Sequence, residues 1–276
     1  MIAEYIEALL TPAPKWAKHM ELLNEAIAIS ARAKRCCEAW APHQQHTKEA
    51  IIDAMEACDQ HRIVLVVGSG SCLDIPLAEL ANKFKQVILI DVVHPLKSKR
   101  HGWNHVVQIT QDITGQLETL YNHPETLPEM YAPNIYHDVP EIDLVLSVNL
   151  ASQLPIMPLK YLADKMSHDE KELNRFAKNL IRAHFTWLSG FTCTTALICD
   201  QAWERLDATG KLIELDDPLY GLISQKTTRE WYWDVAPTHE TGTDFSHRNH
   251  VGYWANFLFV ASDDLSANPN CIYAQS

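Results

Sequence analysis

The amino-acid sequence predicts an α/β protein: a doubly wound, mainly parallel sheet of seven strands, closed by a C-terminal antiparallel hairpin and preceded by a helical appendage. Three observations carry this. Residues 62–91, RIVLVVGSGSCLDIPLAELANKFKQVILID, show an apolar run, a Gly-Ser-Gly turn, a helix-like segment, a second apolar run and a terminal acid. Short β-branched runs then alternate with helical patterns, the signature of βαβ units around a parallel sheet. Two successive β runs near the C-terminus, 230–235 and 251–261, fit a hairpin at the sheet's end.

Residues 1–60 form the appendage, and 61–276 the α/β domain. After Pro12 and Pro14, apolar residues at Trp16, Met20, Leu23 and Ile27 keep one helical face, and the pattern stops before Pro42. A second helical segment covers 47–58, and no glycine precedes Gly68. The run 63–67 is all apolar, as suits a strand buried on both faces. Helix is expected over 74–84, with Pro76 in its first turn where a missing N–H costs little. Further strands are expected at 87–90, 106–110, 142–148 and 194–199. The segment 119–141 reads as loop. Ser167 and Glu170 form a capping box that opens a helix ended by Gly190. Residues 236–250 read as a polar loop.

Composition bounds the function. The chain has 276 residues, 47% of them hydrophobic, enough for a sizeable core. A net charge of −12 argues against coating nucleic acid phosphates. The compact basic cluster Lys97, Lys99, Arg100 and His101 reads as a solvated loop. Seven cysteines without a CxxC pair indicate thiols in a reducing compartment, and a cytoplasmic location is expected. No apolar run approaches the roughly 18 residues that span a bilayer, so no membrane partner is expected.

A glycine turn lets backbone approach a ligand closely. A carboxylate ending the next strand accepts two ribose hydroxyl hydrogen bonds, and this pairing is how open α/β sheets hold a nucleoside. With Gly68-Ser69-Gly70, Asp91, Asp112-Ile113 and the segment 147–155 (SVNLASQLP) at the ends of four consecutive strands, the chain resembles class I S-adenosylmethionine-dependent methyltransferases from about residue 63 to 261. That resemblance implies S-adenosylmethionine as cofactor. Gly68, Ser69 and Gly70 would lie under its methionine part and Asp91 would hold the ribose. Asp112 and Ile113 would meet the adenine, and Asn149 would stand after strand four. It departs from the family at Val66-Val67, where an acid is usual, and at Cys72, where a third glycine is frequent. The cofactor's amino group then needs another acceptor, such as a backbone carbonyl or Asp74.

The acceptor is expected to be a small molecule. Candidate catalytic residues are Asn149 together with His239 or His250 as base, because the 236–250 segment is dense in titratable groups. Its three histidines match no standard metal-ligand spacing, and no metal is expected. Asp200 and Gln153 lie after their strands, where ligands bind in such sheets. His94 and Trp103 are candidates to flank the adenine. Two alternatives stay open: a non-catalytic cofactor-binding protein of the same fold, and a nicotinamide-dependent oxidoreductase. Leu73 at the third fingerprint position and the closing hairpin count against the oxidoreductase.

Overall fold

The structure, a computed structural model, describes residues 2–96, 102–165 and 168–260. The basic cluster at 97–101, Ser167 of the expected capping box and Ala261 lie outside these residues.

Four helices come first: α1 (Ile2–Leu10), α2 (Lys15–His19), α3 (Leu22–Arg35) and α4 (Cys37–Glu56). Helix α4 runs through Pro42 instead of stopping before it. The proline removes only the hydrogen bond to the carbonyl of Glu38, an exposed residue, while Trp40, Ala50, Ile51 and Met55 bury the opposite face. Packing outweighs the breaker.

The strands are β1 (Ile63–Val67), β2 (Gln86–Asp91), β3 (Val106–Thr110), β4 (Ile142–Val148), β5 (Thr194–Leu206), β6 (Leu212–Asp216), β7 (Arg229–Ala236) and β8 (Ser246–Ala255). The order is β3-β2-β1-β4-β5-β8-β7, with β6 pairing the outer part of β5. Strands β1 to β5 are parallel, and β8 runs antiparallel between β5 and β7. This is the doubly wound fold with a terminal antiparallel hairpin that the resemblance implies, enlarged by one strand. From β1 the chain moves outward to β2 and β3, then returns to place β4 on the other side. A crevice therefore opens beyond the carboxyl ends of β1 and β4, where ligands bind in sheets of this kind.

Alternation along β1 feeds both cores. Val64 and Val66 join Leu144, Leu146, Ile198, Trp231 and Trp233 under α4. Leu65 and Val67 join Val145, Leu197 and Cys199 against α8 (Glu170–Ser189), which contributes Ile181, Phe185 and Leu188. Each such fully buried aliphatic side chain contributes about 1.5–3 kcal/mol. The side chain of Asp169 caps α8 by accepting from the Lys171 N–H at 3.3 Å. No helix among the described residues is long and apolar enough to cross a membrane.

Several boundaries differ from expectation. Helix α5 spans Leu77–Lys83 with Pro76 as its N-cap, which leaves Asp74 in the loop. Helix α6 (Leu117–Asn122) enters the segment read as loop, and α7 (Ile156–Lys165) follows β4. Strand β5 continues seven residues past Cys199 and turns into β6. Strand β8 begins at Ser246, so the last third of the expected polar loop 236–250 is strand, and α9 (Thr238–Thr241) occupies part of the rest.

Candidate functional site

The site begins where β1 ends. Gly68 takes φ +79°, and a Cβ there would lie 2.4 Å from the Val148 carbonyl oxygen and 2.9 Å from Leu150 Cβ. Only glycine lets the β1 turn pass this close to the β4 turn. The Gly68 and Ser69 N–H groups donate to the Ile90 carbonyl at 3.0 and 3.3 Å. Gly70 N–H donates to Asp91 Oδ2 at 2.8 Å, and Val93 N–H to Asp91 Oδ1 at 3.3 Å. Turn and carboxylate form one locked unit. Burial raises the Asp91 pKa, while His94 and these backbone donors pull it back. The Ser69 hydroxyl is buried without a hydrogen-bond partner. Burial beside Asp74 and Asp91 pushes the Cys72 thiol up to about 12, so it stays neutral.

Across the crevice Asn149 adopts φ +48°, and its side-chain Nδ2 donates to Asp74 Oδ2 at 2.5 Å. Its Oδ1 is buried and unpartnered. His43 Nε2, from α4, stands 3.2 Å from Asn149 Nδ2 and 3.8 Å from Asp74. The Trp231 indole donates to His43 Nδ1 at 3.0 Å. Trp233 stacks on the other side of the ring, centroids 4.1 Å apart.

Asp112 is committed to local structure. Its Oδ1 accepts from the Thr114 N–H at 2.8 Å and hydroxyl at 2.7 Å, and its Oδ2 from the Leu117 N–H at 2.9 Å. These bonds start α6 and set Ile113, a buried apolar face, into the cleft wall.

The cleft has a volume of about 1010 Å³. Pockets for single drug-sized ligands run to about 300–1,000 Å³, and this cleft stands at the top of that range, with room for a nucleoside cofactor and a second small molecule. Gly68, Ser69, Gly70, Asp91, Asp112, Ile113 and Asn149 all line it, as do Asp74, Gln153 and Asp200. Helix α3 covers one side. Ser30 Oγ meets Ser71 Oγ at 2.6 Å, and Arg35 binds Glu240 through Nε at 2.8 Å and Nη2 at 2.6 Å, with Arg32 Nε at 3.4 Å. Arg35 is the largest influence holding the Glu240 pKa down at about 2.

Neither His239 nor His250 lines the cleft. His239 is exposed on α9. His250 follows Asn249, and alternation along β8 turns it to the opposite sheet face, where it stacks on Tyr232 at 4.9 Å and lies 3.7 Å from Glu230. His94 and Trp103 are absent from the wall as well; His94 Nε2 bonds the Ile109 carbonyl at 3.1 Å. In their place the wall holds His43, Trp203, Trp233 and Asn249. These come from α4 and the outer sheet. The alternation of 201–206 and 212–216 around Asp-Ala-Thr-Gly-Lys is the hairpin signal that bears on Trp203.

Among solved structures, the chain is similar to a Burkholderia thailandensis 1,6-didemethyltoxoflavin-N1-methyltransferase with bound 1,6-didemethyltoxoflavin and S-adenosylhomocysteine. That match has 10% identity and a TM-score of 0.32, over 84% of this chain and 89% of that one. It is also similar to a Haemonchus contortus phosphoethanolamine N-methyltransferase 1 in complex with phosphoethanolamine and S-adenosylhomocysteine, at 10% identity and a TM-score of 0.30, over 81% of this chain and 44% of that one. No family model and no curated protein sequence matches. At these scores the fold assignment rests on the strand order, not on the likenesses.

Proposed function

We propose that this chain is an S-adenosylmethionine-dependent methyltransferase acting on a small molecule. The observation that carries the reading is the Gly68–Gly70 turn locked onto Asp91 at the crevice where the strand order reverses. The residues present fit the cofactor. Each Asp91 oxygen accepts one backbone N–H and keeps lone-pair capacity for ribose hydroxyls. Ser69 Oγ and Asn149 Oδ1, both buried and unpartnered, offer polar contacts. Asp74, beside Asn149, supplies the carboxylate that the Val66-Val67 end of β1 lacks. Ile113 and Leu117 give the apolar wall for the base.

When bound, S-adenosylmethionine supplies an electrophilic methyl group on a sulfonium. The protein's part is to hold an acceptor in line and exclude water, which is worth several kcal/mol through proximity alone. Asn149 orients from the β4 end, with its amide fixed by Asp74. Helix α3, fastened to Glu240 and Ser71, shields the cleft from solvent. A general base is needed only for an acceptor that must lose a proton.

A second reading, a protein that holds the cofactor without turnover, draws support from the missing acid in β1 and from the committed Asp112 carboxylate. Calorimetry with S-adenosylhomocysteine, S-adenosylmethionine and NADH tests the set. S-adenosylhomocysteine should bind, and Asp91→Ala should weaken it at least about tenfold, the loss of a charge-assisted hydrogen-bond pair. Unchanged binding in the variant sinks the cradle assignment. Preference for NADH moves the reading to an oxidoreductase. Cofactor binding with no methylation across a metabolite panel favours the second reading.

A further inference from the structure

The acceptor subsite has a charge preference of its own. Nine Asp or Glu residues line the cleft against two arginines. Arg32 lies against Glu240 and Arg205 against Glu214 at 2.9 Å, while Arg248 matches Glu204 at 2.6 Å. Asp74, Asp91 and Asp200, along the inner wall, have no arginine or lysine within salt-bridge distance among the described residues.

Asp200 differs from the other two. It is 2% exposed, and its hydrogen bonds from Ser152 Oγ at 3.1 Å and the Trp203 indole at 2.9 Å fall on Oδ2, with the Asn249 amide close by. Its Oδ1 is buried with no partner. A buried carboxylate oxygen left this way is costly unless something satisfies it. Burial accordingly raises the Asp200 pKa, against Trp203, His43, Ser152 and Asn249, which lower it. The register sets its surroundings. Trp203 and Trp233 both pair with Asn249, so one cross-strand row runs indole, amide, indole over β5, β8 and β7. Neighbouring strands lie about 4.8 Å apart, which puts the two tryptophan backbones roughly 10 Å apart. The Trp233 Nε1–H is also buried and unpartnered.

Resting on the methyltransferase reading, we propose that Asp200 anchors a positively charged nitrogen of the acceptor, an ammonium or amidinium group distinct from the atom to be methylated, beside the indoles of Trp203 and Trp233. A cationic N–H donor satisfies Oδ1 and neutralises the carboxylate, and the Trp203 indole attracts the same charge. An anionic acceptor meets unmatched carboxylates instead. A neutral hydroxyl satisfies Oδ1 but leaves the charge buried.

The test compares benzylamine and tryptamine with neutral benzyl alcohol and anionic benzoate by calorimetry, with and without S-adenosylhomocysteine. The amines should bind at least about tenfold more tightly than benzyl alcohol, and benzoate more weakly still. Asp200→Asn, which keeps shape and removes charge, should erase the amine preference while S-adenosylhomocysteine affinity stays within about twofold. Equal binding of amine and alcohol, no binding of any probe, or an amine preference that survives Asp200→Asn overturns the proposal. Should the variant fail to fold, the wild-type comparison decides. Absence of S-adenosylhomocysteine binding to the wild-type chain, with an amine preference that Asp200→Asn erases, overturns the methyltransferase reading alone.

Discussion

Gly68→Ala isolates the demand that brings the β1 and β4 turns together. Two terms add. An L residue at φ +79° adopts a left-handed conformation that costs about 1–2 kcal/mol. The new methyl would also stand 2.4 Å from the Val148 carbonyl oxygen and 2.9 Å from Leu150 Cβ, just beyond the last β1–β4 pair, Val67 and Ser147, and overpacking of this kind costs about 1–3 kcal/mol. The sum, roughly 2–5 kcal/mol, lowers Tm by about 5–15 °C for a chain of this size. Gly70→Ala provides the internal control. Its φ of +41° carries the first term, but its Cβ would meet only Asp91 Oδ2, at an ordinary 3.7 Å. Urea denaturation of both variants should show Gly68→Ala less stable than Gly70→Ala by about 1–3 kcal/mol. Equal stability, or a larger loss in Gly70→Ala, would refute the claim that close approach to β4 dictates the first glycine.

Two pH windows follow from other groups. His184 is buried, its Nε2 2.8 Å from Ser147 Oγ, and burial depresses its pKa from 6.5 to about 4. The unfolded chain binds the extra proton first, so stability should fall by about 3 kcal/mol as pH drops from 6.5 to 4. Urea titrations across that window should find the slope flattened in His184→Leu, and an unchanged slope contradicts the assignment. Glu240 behaves differently: its pKa lies below the usual 4.5, so its contribution is full above pH 4.5 and lost as pH falls toward 2. Because Arg35 is half exposed, solvent screening limits Glu240→Gln to at most about 1 kcal/mol, measured by denaturation at pH 7 in low salt. A loss that 1 M NaCl leaves untouched would show that the contact is not electrostatic.

The inner sheet was legible because its strands are continuous apolar runs, and the cradle because glycine, serine and acid fall at strand ends in order. Residues 63–67, 106–110 and 142–148 emerge as strands with the expected bounds. What escaped lies where one local cue meets a stronger tertiary one. Strand β5 changes from apolar to alternating at Asp200, so its outer half does not look like the run that precedes it. Pro42 reads as a stop, yet Trp40 and His43 find partners on β7 that no local pattern announces. His250 illustrates the sharpest ambiguity. In a polar segment the two faces of a strand look alike, and a single step along β8 decides between cleft and opposite surface.

Those bonds from α4 to β7 also bear on the order of folding. Trp40 Nε1 reaches the Val235 carbonyl, and the Trp231 indole reaches His43, across sequence separations of 195 and 188 residues. Helix α4 therefore waits for β7, distant in sequence, before its buried face is complete. Contacts this distant along the chain form slowly. The apolar side of α4 stays exposed meanwhile, a state open to capture by chaperones or by other nascent chains. In refolding, the central sheet should gain protection from hydrogen exchange before the wall that carries His43 and Trp233, so that the cleft is completed last.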